Sequence, residues 1–127
     1  MAVKFLSDEW AQAFTEAMNA SEDFKQAAGS QSSKVQNVVN APDGEKHFYL
    51  KLENGQVEVG TGDLADSEAT ITQDYDTAVA LFKNELTGTA AYMSGKIKVQ
   101  GDLMKLMQMQ GVQAVGQKIH TSLDVEY

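Results

Sequence analysis

The chain has 127 residues, no cysteine and a net charge of −8, the balance of 18 acidic residues against ten lysines with no arginine. That balance makes nucleic acids and anionic membrane surfaces poor partners, since both call for clustered positive charge, and the missing cysteines exclude a disulfide frame and thiol chemistry. The length suits one domain spanning residues 1–127, and with no apolar run near the length of a membrane span and no leader-like start, a soluble cytoplasmic protein without stable membrane insertion is expected.

Ser7 is placed to cap a first helix, with Asp8 and Glu9 in the turn where the helix dipole favours negative charge. Trp10, Phe14 and Met18, flanked by Ala11 and Ala17, repeat at i, i+4, i+8 and predict a buried stripe to about Ala20. Ser21 opens a shorter helical piece that buries Phe24, Ala27 and Ala28 and ends at Gly29.

From Ser32 to Thr72 the period changes to alternation. Val35, Asn37 and Val39 share one face of a first strand, and Pro42-Asp43-Gly44 closes a turn. Phe48, Leu50 and Leu52 then face one way, opposite His47, Tyr49, Lys51 and Glu53. Asn54-Gly55 is the strongest hairpin signal, because both residues tolerate the positive φ of a type I′ turn. Val57 and Val59 complete that hairpin, and a further strand from Glu68 to Thr72 turns Ala69 and Ile71 inward. Successive short strands predict an antiparallel meander with one polar face and one covered face.

Thr72 is then expected to cap a helix on which Tyr75, Ala78, Val79, Phe82 and Leu86 form an apolar stripe. Ala90 to Met93 reads as a helix end stopped at Ser94-Gly95, and Lys96, Lys98 and Gln100 alternate with Ile97 and Val99 as a strand. Asp102 caps a helix with Leu103, Met104, Leu106, Met107 and Met109. Methionine is unbranched and polarisable, which suits a cavity whose occupant varies. The last segment aligns Val112, Val115, Ile119 and Leu123, but Gly111 and Gly116 weaken it as a helix, so a mobile apolar lid is expected there.

The run Tyr92-Met93-Ser94-Gly95-Lys96-Ile97-Lys98-Val99-Gln100-Gly101-Asp102-Leu103 resembles the most recognisable segment of the sterol-carrier-protein-2 (SCP2) lipid-binding domain, G-K-[IL]-x-[IV]-x-G-[DN] leading into an apolar helix. Ala65-Asp66-Ser67-Glu68-Ala69-Thr70-Ile71-Thr72 is similar to the same family's A-D-x-x-[AV]-T-[IL]-[TS] strand. The resemblance is specific from about Asp43 to Gly111. It implies an SCP2-like α+β fold, a mostly antiparallel sheet of about five strands with helices over one face and an apolar cavity between the layers. It also implies a C-terminal segment covering that cavity. A glycine and a proline expected in the turn after the Tyr75 helix are replaced by Asn84-Glu85-Leu86-Thr87-Gly88-Thr89, so the entrance is expected to differ in shape.

The expected function is binding of a lipid-type ligand (fatty acid, fatty acyl-CoA, sterol or phospholipid) by an intracellular carrier, with Phe48, Leu50, Phe82, Met93, Leu103, Met107, Val115 and Ile119 lining the cavity. No cofactor, metal or catalytic residue is expected. The resemblance leaves open an accessory module that holds isoprenoid-quinone intermediates, and with it a biosynthetic enzyme partner or a homodimer. A small α+β hydrolase or isomerase using His47 or one of the buried-side acids is the remaining alternative. His47 and His120 stand in no nucleophile or metal spacing and both read as surface or edge residues.

Overall fold

The computed structural model describes residues 2–127. A short strand β1 (Val3–Lys4) leads into α1 (Asp8–Asn19), where the Ser7 hydroxyl accepts from the Trp10 amide at 3.2 Å and so satisfies a first-turn donor. Helix α2 (Glu22–Ala28) begins the same way, with Ser21 accepting from Phe24. Strands β2 (Ser33–Ala41), β3 (Gly44–Glu53) and β4 (Gln56–Thr61) follow. Asn54 and Gly55 join the last two at positive φ, 53° and 75°, the conformation the hairpin requires.

Strand β5 (Ala69–Asp74) departs from the expected meander. It crosses the sheet and pairs in parallel with β2, Val35 opposite Ala69 and Asn37 opposite Ile71, while β6 (Ile97–Gly101) closes against β5 antiparallel. The order is β4-β3-β2-β5-β6, a mostly antiparallel five-stranded sheet in an α+β fold. Alternation fixes which face a residue points to but not which strand lies alongside, so the parallel pair is invisible to periodicity. The next cap also differs: Asp74, not Thr72, accepts from the Thr77 amide at 2.8 Å, which extends β5 and starts α3 (Tyr75–Phe82) later.

Helix α4 (Gly88–Met93) is capped by Thr87, and Asp102 caps α5 (Leu103–Gln108) by accepting from the Lys105 amide at 3.0 Å. Met109 links α5 to α6 (Gln110–His120), a continuous helix despite Gly111 and Gly116. Strand β7 (Val125–Glu126) pairs in parallel with β1, a ribbon without a sequence signal that holds the two ends together. Gly101 explains one motif position. Its φ is 100°, and an added Cβ would meet the Glu68 carbonyl oxygen at 2.5 Å, so only glycine fits where β6 turns into α5.

One edge of the sheet is sealed by side chains. Asn19 of α1 donates to the Val57 carbonyl and accepts from its amide, both at 2.9 Å, and Thr15 accepts from the Val59 amide at 2.9 Å. These bonds hold α1 along β4 and leave that edge few free groups for strand addition. Between the sheet and the helices lies an aromatic core in which Trp10 meets Phe48 edge to face at 5.3 Å and Phe82 at 5.6 Å. Among the described residues no helix is long and apolar enough to cross a membrane.

Candidate functional site

The inner face of the sheet carries apolar side chains from every strand, and α1, α2, α3 and α6 lie across it without filling the space between. A cavity of about 160 Å³ remains there. Phe48, Leu50 and Leu52 of β3 and Val35 of β2 form much of its floor, and Phe14, Phe24, Leu81 and Met109 come down from the helices. The wall has no charged residue. Gly88 of α4 with Gln113 and Gln117 of α6 supply a polar part of it, and Gln113 is exposed.

Of the residues expected to line a cavity, Phe48, Leu50 and Phe82 stand in its wall. Val115 and Ile119 are half-buried and pack against the main core, outside the wall, and Leu103 is also half-buried outside it. Met93 and Met107 stand outside the wall and are 79% and 54% exposed. Met93 ends the short helix α4, and α5 is a six-residue helix that has one inward face. Leu106 occupies that face with Met109 three residues on, so Met104 and Met107 project the other way.

Among the wall residues not expected from the sequence are two buried amides. Asn37 and Gln73, on neighbouring strands, are 6% and 4% exposed, and both line the cavity. The Gln73 Nε2 amide donates to Asn37 Oδ1 at 3.1 Å, while Gln73 Oε1 has no hydrogen-bond partner among the described residues. A signal for this existed: Asn37 shares its face with Val35 and Val39, and Gln73 follows Ile71 by two residues, so each is a polar residue on an apolar face.

The two histidines differ. His47 lies on the polar face of β3 between Glu45 at 2.9 Å and Asp63 at 2.6 Å, and the bonds to Glu45 and then Asp63 raise its pKa above the ordinary 6.5. With a carboxylate at each ring nitrogen, the protonated form of the imidazole is favoured over what the free side chain would show. His120 is buried, which corrects its reading as a surface residue. It sits on the inner stripe of α6 with Val112 and Gly116, at i, i+4 and i+8. The Trp10 indole donates to its Nε2 at 2.8 Å, its Nδ1 lies 3.1 Å from the Phe82 carbonyl oxygen, and burial lowers its pKa to about 4.

This architecture is similar to known proteins. A crystal structure of sterol carrier protein 2 superposes with a TM-score of 0.80 at 19% identity, covering 94% of this chain and 99% of that one. A structure described as a UbiJ-SCP2 ubiquinone synthesis protein superposes with a TM-score of 0.60 at 18% identity, covering 85% and 88%. Mouse (Mus musculus) stomatin-like protein 1 is 32% identical over 77 residues, 60% of this chain, and the match spans 19% of that protein's own length. The profile of the SCP-2 sterol transfer family matches residues 11–114. With that match taking in the whole five-stranded sheet and most of the chain, the chain belongs to the SCP-2 sterol transfer family.

Proposed function

We propose that this chain binds one lipid-type ligand (a fatty acid, fatty acyl-CoA, sterol or phospholipid) between its sheet and helices, and acts as a carrier in the cytoplasm without catalysing a reaction. The observation that carries this reading is the cavity wall, mostly apolar and free of charged side chains, inside a fold shared with sterol carrier protein 2. Such a wall holds a hydrocarbon chain by removing it from water, worth roughly 25 cal/mol for each Å² buried. A charged headgroup gains nothing there and stays at the polar side near Gln113.

Native mass spectrometry of the purified protein, followed by organic extraction, tests the proposal. One lipid per chain is the expected result. An empty protein that also fails to take up a fluorescent fatty acid overturns it. A second reading, an accessory module holding isoprenoid-quinone intermediates for biosynthetic enzymes, draws support from the likeness to the ubiquinone synthesis protein. A prenylated quinone in the extract, with an enzyme co-purifying, would favour it over the free carrier.

A further inference from the structure

The cavity wall holds an imperfection that an empty apolar pocket has no use for. Gln73 is 4% exposed and Asn37 is 6% exposed, both on a sheet face that apart from Ser33 is otherwise hydrophobic around the cavity. Their side chains share one hydrogen bond, and Gln73 Oε1 is left without a partner. Turning both amides over preserves the bond between them and leaves Gln73 Nε2 unpartnered instead. Either way the pair keeps one unmet hydrogen bond facing a buried environment, and such a group carries a penalty that a leucine at the same place would not. Gln73 Oε1 is itself closed off behind the wall, and a small turn about the broad terminal torsion of the side chain is what brings the unpartnered group to a neighbour in the cavity.

We propose that the pair is a polar subsite for the ligand, and that it takes a hydroxyl group. The inference rests on the cavity being the ligand site. A hydroxyl donates one hydrogen bond and accepts others, so it satisfies Gln73 in either orientation. A carboxylate only accepts, and with no charged side chain in the wall its burial would go uncompensated. A bare hydrocarbon leaves the amide as it found it. The pair therefore lowers the cost of burying a hydroxyl, so that a neutral amphiphile such as a long-chain alcohol binds better, relative to the isosteric hydrocarbon, than it would against a wall without the pair.

Tetradecan-1-ol and pentadecane, which differ by a hydroxyl in place of a methyl group, make the comparison when each competes with a fluorescent lipid for the full chain. The alcohol-to-alkane affinity ratio is expected to fall about tenfold in Gln73→Leu, the lower range for loss of a buried hydrogen bond. In the wild-type protein, tetradecan-1-ol is expected to move the Gln73 side-chain amide resonances and pentadecane to leave them in place. That measurement decides the matter without a variant if Gln73→Leu fails to fold. An unchanged ratio in a folded variant, or amide resonances indifferent to the bound alcohol, overturns the subsite while the cavity remains a ligand site. Failure of both molecules to bind the wild type overturns the cavity reading, and the subsite with it.

Discussion

The two ring nitrogens of His120 have opposite tasks, and their partners assign its proton. A carbonyl can only accept, so Nδ1 carries the hydrogen that goes to Phe82 O, and Nε2 must be bare to accept from the Trp10 indole. A second proton on Nε2 would set two donors against each other in the core. Its place at the end of α6 favours a cation by at most about 2 kcal/mol, and burial outweighs that, taking the pKa to about 4. The unfolded chain protonates this residue near 6.5, so its contribution to stability is complete above that pH. It is lost as pH falls from about 6.5 to about 4, on the order of 3 kcal/mol in all. His120→Gln can accept from Trp10 and donate to Phe82 without titrating. Urea unfolding is expected to show the wild type losing stability more steeply than the variant across that window, and parallel curves would refute the account. The sequence concealed this residue because Gly116, its neighbour on the buried stripe, has no side chain to mark the face.

Elements were more legible than their partners. The caps at Ser7, Ser21 and Asp102, the Asn54-Gly55 hairpin and the inward faces of β2 and β3 all follow from local chemistry, and the structure has them where residue type placed them. The parallel pairing of β2 with β5 and the β1–β7 ribbon depend on non-local contacts, and no residue announces them. Helix α6 lies between these cases. Its glycines suggested weakness, yet Gly116 faces α1, where an added Cβ would stand 3.6 Å from Met18 Sδ, whereas an added Cβ at Gly111 has open space around it. A contact of 3.6 Å is ordinary packing, so neither glycine is required by its surroundings, and Gly111, with nothing near it, is the freer of the two to replace. Gly111→Ala is expected to stabilise the protein by about 1 kcal/mol, read from its unfolding midpoint. A lid that opens for the ligand predicts that Val115 and Ile119 exchange their amide hydrogens faster than Val35 and Val39 of β2, and that Gly111→Ala slows both exchange and ligand uptake. Equal protection of helix and strand would leave α6 as fixed wall.

At the scale of the whole molecule, the charge of −8 bears on where a carrier could deliver its ligand. A surface of the same sign repels the chain over roughly a Debye length, about 8 Å at physiological ionic strength and about 30 Å at 0.01 M. Against this stands one local exception: Lys96 and Lys98 are exposed at β6, the edge of the sheet opposite the one α1 seals, and Lys105 nearby is engaged with Glu68 at 3.8 Å. Net charge acts at a distance and a lysine pair acts at contact, so the two make opposite predictions for approach to a membrane. The long-range term is the larger at low salt, where all of the charge is felt. Transfer of a fluorescent fatty acid to vesicles containing anionic phospholipid is therefore expected to be slower than transfer to zwitterionic vesicles at low ionic strength. The difference should shrink as salt is raised to physiological levels. Faster transfer to the anionic vesicles, weakened by Lys96→Gln with Lys98→Gln, would mean instead that the lysine edge docks the protein and that its overall charge serves only to keep it dispersed.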